Sequence, residues 1–184
     1  VVVGSVREGR IGPVVAEWFV RQVASRPDYA VDVIDLVAAY REQHDPCRAA
    51  GPPAVGPSFA ARIAAADAVV VVTPEYNHSF PGPLKHAIDT LDREWRAKPV
   101  AFVAYGGRTG GLLAVEALRL VFAQLEAVTV RETVSFPRVH AQFAETGQAR
   151  DPAVEGAAAA LLDKLAWWAI ALREARAARP FDGR

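Results

Sequence analysis

Short β-branched runs and longer helical stretches alternate along the chain. The β-branched runs fall at Val1 to Val3, Val31 to Asp35, Ala68 to Thr73, Val100 to Tyr105 and Val128 to Phe136, and predict five strands. Those at 68–72 and 100–104 are apolar at nearly every position, as expected for parallel strands covered on both faces. Five helical stretches are expected. The first follows Pro13, with Val15, Trp18, Phe19 and Val23 on one stripe, and the second carries Phe59, Ile63 and Ala64. Leu84, Ile88, Leu91 and Trp95 mark a third helix after the stop signals Pro81 and Pro83. A fourth runs from about Thr109 to Glu126, and a fifth from about Pro152 to Ala178, with Val154, Ala158, Leu161, Leu165, Trp168 and Leu172 at helical spacing. Ala39 to Pro57, with four prolines and two glycines, is expected to be one long connection.

This order predicts an α/β fold, a flavodoxin-like doubly wound five-stranded parallel sheet of order 2-1-3-4-5 with helices on both faces. One domain spanning residues 1–184 is expected, since no linker or internal repeat divides the chain. Leu112, Leu113, Val115, Leu118, Leu120, Val121, Phe122 and Leu125 give the fourth helix more than one apolar stripe. It must bury two faces, against the sheet and a partner subunit or wholly within the chain.

Composition narrows the function. Lys plus Arg and Asp plus Glu both total 21, giving zero formal net charge and removing the basic field that nucleic-acid binding needs. No apolar run approaches the roughly 18 residues of a membrane span, and no signal peptide is evident in the first 30 residues, so a cytoplasmic protein is expected. The chain contains no Met and opens inside an apolar run, which predicts a few preceding residues. A single cysteine, Cys47, excludes an internal disulfide or a CxxC site. His44, His78, His86 and His140 lack metal-ligand spacing, so no metal is expected.

In doubly wound sheets, ligands bind beyond the carboxyl ends of the strands at the topological switch point. Three loops there are unusual. The first, Gly4 to Gly12, combines Ser5, Arg7 and Arg10 with a helix N-terminus, which suits an anion. Val6 breaks the GxGxxG dinucleotide fingerprint, and Arg10-Ile11 after Gly9 breaks the P-loop, leaving a monophosphate cradle such as FMN needs. The second loop, Thr73 to Pro83, offers Tyr76 and Asn77 for stacking on an isoalloxazine and bonding its pyrimidine edge. The third, Tyr105 to Gly111, holds four glycines that let backbone approach a flat ring.

Together, GSVREGRIG, TPEYNHSFPGPLKHAID and KPVAFVAYGGRTGG closely resemble the NADPH-dependent FMN reductase family, the flavodoxin-like group that includes azoreductases, quinone reductases and chromate reductases. The resemblance covers roughly residues 1–137. It implies that Ser5, Arg7, Arg10, Ile11 and Gly12 form the FMN phosphate loop. Pro74, Glu75, Tyr76 and Asn77 would lie beside the isoalloxazine, with Tyr105, Gly106, Gly107, Gly110 and Gly111 on its other edge. His86 departs from the family's usual Asn. The family also implies a homodimer or homotetramer.

The implied reaction is hydride transfer from NAD(P)H to bound FMN, then two-electron transfer to a quinone, azo compound, metal oxyanion or flavin. No side chain is assigned a catalytic step, because the flavin carries the chemistry. His78 is a substrate-side candidate as a proton donor, and Arg108 one for the extra phosphate of NADPH. The alternatives are an FMN-binding electron carrier, whose usual acidity this neutral chain lacks, and a flavin-based sensor or interaction protein.

Overall fold

The computed structural model describes residues 1–41 and 55–181, so His44 and Cys47 lie outside the described residues. Its strands are β1 (Val2–Val3), β2 (Ile34–Asp35), β3 (Val69–Pro74), β4 (Pro99–Tyr105) and β5 (Val128–Phe136). All pair in parallel, in the order β2-β1-β3-β4-β5 expected from the pattern. In register, Pro74 lies opposite Tyr105 and Tyr105 opposite Phe136. The carboxyl ends of β3, β4 and β5 are therefore level, and their loops leave from one edge.

The helices are α1 (Gly12–Ala24), α2 (Leu36–Arg41), α3 (Pro57–Ala65), α4 (Gly82–Asp89), α5 (Leu112–Gln124) and α6 (Ala153–Ala178). Strand alternation divides the core between the two faces. Val69, Val71, Val100 and Phe102 pack with Phe59, Leu84, Leu118 and Phe122, from α3, α4 and α5. Val70, Val72, Ala101 and Val103 pack instead with Trp18, Phe19, Leu161 and Leu165, from α1 and α6. No helix among the described residues is long and apolar enough to cross a membrane.

Four local expectations are corrected. The connection after β2 is not irregular from its start, because α2 extends through Ala39 to Arg41, with Leu36 and Ala39 buried. The third expected helix is two pieces: α4 stops at Asp89, and Trp95 sits on a separate 3-10 turn, Arg93–Trp95. Trp95 rejoins α4 by donating its indole N–H to the Ile88 carbonyl at 3.0 Å, so its spacing reflected a shared core rather than a continuous helix. Pro81 and Pro83 open α4 instead of preceding it, with Pro81 as N-cap and Pro83 in the first turn, where a missing N–H costs nothing. Lastly, α5 is not wholly buried within the chain, since Leu112 and Leu120 are 47% and 77% exposed while Ala114, Val115, Leu118 and Phe122 face the core.

A buried cation braces the opposite edge of the sheet. Lys98, 4% exposed, donates its ammonium to the carbonyls of Ile63 and Ala64 at the end of α3. Cations are favoured at that end of a helix dipole. Burial nevertheless dominates, with Arg176 adding to it, and lowers the Lys98 pKa to about 8, while Asp67 and Glu94 oppose the shift.

Candidate functional site

The loops after β1, β3, β4 and β5 enclose a cleft of about 660 Å³. Arg7 to Ile11 supply one wall, Pro74 to Tyr76 and Tyr105 to Gly107 the floor, and Arg138 to Ala141 the far wall. Of the residues singled out in the sequence, Arg7, Arg10, Ile11, Pro74, Glu75, Tyr76, Tyr105, Gly106 and Gly107 line this cleft.

The first loop ends at α1, whose N-terminus has no side-chain cap. Beneath it lie two fully buried hydroxyls, Ser5 Oγ and Tyr105 Oη, near enough to influence each other but with no well-formed hydrogen bond to any of the described residues. Both lie against Gly12. A Cβ there would collide with Ser5 Oγ and come within 2.7 Å of the Tyr105 hydroxyl. Burial pushes the Tyr105 phenol up to about 12, so it stays a neutral donor. Unmade hydrogen bonds at buried hydroxyls carry a desolvation cost of about 1–3 kcal/mol. Their placement under an uncapped helix start suits an anion with several acceptor oxygens.

The two arginines of this loop differ. Arg10 makes a fork-to-fork pair with Asp35 at 2.9 and 2.6 Å and also donates to the Ser5 carbonyl at 2.6 Å. Asp35 in turn accepts from the Val37 backbone N–H at 2.9 Å, at the start of α2. The Arg10 guanidinium is thus committed to tying the loop to β2. Arg7 carries no such pair among the described residues. Its guanidinium lies 3.9 Å from the centroid of the Tyr76 ring, across the mouth of the cleft.

In the second loop, Tyr76 and Ser79 exchange backbone hydrogen bonds at 2.8 and 3.0 Å. Asn77 and His78 form the tip between them, with φ of 51° and 63°. Two consecutive positive φ values match a type I′ turn, which accounts for Asn at the tip. Both residues are exposed and neither lines the cleft. Glu75 points the other way: Oε2 accepts from the Thr109 hydroxyl at 2.8 Å and from the Leu113 N–H at 3.2 Å, capping the first turn of α5 from outside the helix.

The third loop brings only Tyr105, Gly106 and Gly107 to the cleft. Gly110 and Gly111 act behind it, with φ of 66° and 91°. A Cβ on Gly111 would sit 2.6 Å from the Tyr105 nitrogen, and one on Gly110 would strike Ser135 Oγ. These glycines let α5 start hard against β4 and β5. Arg108 is exposed outside the cleft lining. His86 is engaged elsewhere, with Nδ1 3.1 Å from the Tyr40 hydroxyl, which itself donates to the Pro83 carbonyl at 2.6 Å.

The far wall went unnoticed in the sequence. Arg138, Val139, His140 and Ala141 follow β5, and Arg138 adopts φ 49° and ψ 49°. Its backbone N–H bonds the Gly107 carbonyl at 2.6 Å, and that of Val139 bonds Gly106 at 3.1 Å. The available signal was topological: a fifth parallel strand must deliver its following loop to the same edge.

The chain matches the family model described as NADPH-dependent FMN reductase over residues 1–141. It is 34% identical over 140 residues to a 2-hydroxy-1,4-benzoquinone reductase from Burkholderia sp., covering 72% of this chain and 73% of that protein. To an NAD(P)H-dependent FMN reductase from Schizosaccharomyces pombe it is 30% identical over 148 residues, covering 75% and 72%. Among solved structures, an oxidoreductase from Corynebacterium diphtheriae superposes with a TM-score of 0.67 at 20% identity, over 92% of this chain and 94% of that one. An NADH:FMN oxidoreductase in its apo form gives 0.64 at 21% identity, over 92% and 87%. At these identities the superpositions speak to the fold alone.

Proposed function

The chain belongs to the NADPH-dependent FMN reductase family, and from that premise we propose that the cleft holds FMN and passes reducing equivalents from NAD(P)H to a small acceptor. The observation that carries this reading is the pair of buried hydroxyls, Ser5 and Tyr105, which make no well-formed hydrogen bond among the described residues and lie under the uncapped start of α1. They suit the phosphate of a mononucleotide, and Gly12, having no side chain, lets the start of α1 lie directly against them. Bound there, FMN would supply reversible two-electron chemistry between NAD(P)H and the acceptor.

The chain's own residues bind, orient and shield. Ser5 and Tyr105 would donate hydrogen bonds from their hydroxyls to phosphate oxygens, and Arg7, on leaving the Tyr76 face, would add a charge-assisted donor. Arg10 keeps the loop in place through Asp35, and Ile11 and Gly12 present the free N–H groups of α1. Pro74, Tyr76 and the Gly106–Gly107 backbone border the ring, while Glu75, Gly110 and Gly111 fix the loops that carry them. Asn77 contributes by stabilising the turn that positions Tyr76.

Reduction of a quinone is the favoured second half-reaction, supported by the benzoquinone reductase among the relatives. Azo compounds, metal oxyanions and free flavin suit the same open cleft. A homodimer or homotetramer belongs to this reading, supported by the exposed Leu112 and Leu120 on α5. The test is direct. Purified protein should take up FMN stoichiometrically, quench its fluorescence and oxidise NADPH with a benzoquinone as acceptor. A chain that leaves FMN fluorescence unchanged and gives no turnover defeats the proposal.

A further inference from the structure

Cation accounting in the cleft leaves one arginine unexplained. The charge of Arg10 is met by Asp35, and Arg7 lies over Tyr76 on the same side as the phosphate loop. Arg138 lines the opposite wall and has no ion pair among the described residues. Its backbone conformation makes the side chain conspicuous. The left-handed region is unfavourable for a residue with a Cβ, and Gly or Asn is the usual occupant. Here an arginine is locked in it, by N–H bonds from Arg138 to Gly107 and from Val139 to Gly106, with the Arg138 carbonyl accepting from Ala141 at 2.9 Å. The loop is therefore built to a fixed shape, and the adjoining turn sets His140 on the same lining with a ring N–H donor.

Topology separates this cation from the FMN phosphate. The phosphate loop follows β1 and Arg138 follows β5, with β3 and β4 between them. Three strand spacings amount to ~14 Å, so an anion held under α1 lies at the other end of the cleft. Glu8, the carboxylate on the lining that accepts no hydrogen bond among the described residues, belongs to the phosphate loop at that far end.

We infer that Arg138, with His140 beside it, is the subsite for the phosphate monoester that distinguishes NADPH from NADH. This rests on the reading of the cleft as the FMN and NAD(P)H site, and it moves donor selectivity from Arg108 to the loop after β5. A dianionic monoester suits the planar guanidinium fork better than the singly charged diester groups common to both dinucleotides.

The test uses the FMN-loaded protein and four chains: wild type, Arg138→Ala, Arg138→Lys and Arg108→Ala. Equilibrium binding of NADP⁺ and NAD⁺ by calorimetry is read beside kcat/KM for NADPH and NADH. Arg138→Ala should weaken NADP⁺ relative to NAD⁺ by roughly 10- to 100-fold, the loss of a charge-assisted pair, and kcat/KM should follow through KM. Arg138→Lys should recover part of that ratio, and Arg108→Ala should shift it less than twofold. Equal losses for both dinucleotides, or a selectivity shift in Arg108→Ala instead, overturn the assignment. A wild type that binds FMN yet uses NADPH and NADH equally also overturns it, whereas one that binds no FMN fails the underlying reading.

Discussion

Glu75 and Thr109, 34 residues apart in sequence, are joined by a 2.8 Å hydrogen bond that fastens the end of β3 to the loop preceding α5. The same carboxylate oxygen accepts from the first turn of α5. Removing it uncaps a helix and unties the two loops that form the cleft floor. Glu75→Ala should cost about 1 kcal/mol of stability, as cap removal does, and weaken FMN binding by about tenfold. Glu75→Gln keeps an acceptor oxygen and should recover most of both losses. Thermal melts and FMN fluorescence titration check this, and equal behaviour of the two variants would argue against the tie.

Ser5 offers a cleaner separation of folding from binding. Its hydroxyl is buried with no well-formed hydrogen bond among the described residues, so Ser5→Ala should leave the stability of the FMN-free protein unchanged or slightly raised. FMN affinity should fall by roughly 10- to 100-fold, the value of one hydrogen bond to a charged group. Melting temperatures with and without saturating FMN provide the reading. A marked loss in the FMN-free state would show that the hydroxyl serves the fold.

Arg7 and Arg10 should differ in their response to salt. Arg7 faces the cleft with an unneutralised charge, while that of Arg10 is met by Asp35. Arg7→Ala should weaken FMN binding and flatten its dependence on ionic strength. Arg10→Ala should weaken binding through loop disorder and leave the salt dependence close to wild type. Titrations at low and high salt decide the matter, and identical slopes for the two variants would contradict it.

The Lys98 ammonium gives a pH signature of unusual sign. Its pKa falls from 10.5 to about 8 on folding, so between those values the unfolded chain holds a proton that the folded chain lacks. Stability should therefore rise with pH across that window, by roughly 2–3 kcal/mol if nothing else titrated. The phenols of Tyr29 and Tyr105, raised to about 12, work in the opposite sense above pH 10, so the slope is best read between pH 8 and 10. Denaturant unfolding should show the rise in wild type and lose it in Lys98→Met.

What could be read in the sequence follows from how far each signal reaches. The runs forming β3 and β4 are apolar throughout because both sheet faces are covered, and they identify themselves. The three glycine- and proline-rich loops announce the switch point. Individual roles were harder to see, because they depend on partners distant in sequence. Arg10 resembles a phosphate ligand until Asp35, 25 positions away, occupies its fork. Gly110 and Gly111 suggest room for a ring, yet the clearance they provide is toward β4 and β5. Arg138 follows an ordinary Phe-Pro pair, and only the assembled sheet brings it to the cleft.

The Tyr76–Ser79 turn has a further consequence. Two residues closed by a reciprocal pair of backbone hydrogen bonds have almost no slack, so this part of the rim cannot fold over a bound molecule as a long lid would. Ligands arriving at Tyr76 meet a wall already in its final shape, with little ordering entropy left to lose on contact. Discrimination at this side of the opening then depends on which outlines fit a fixed aperture.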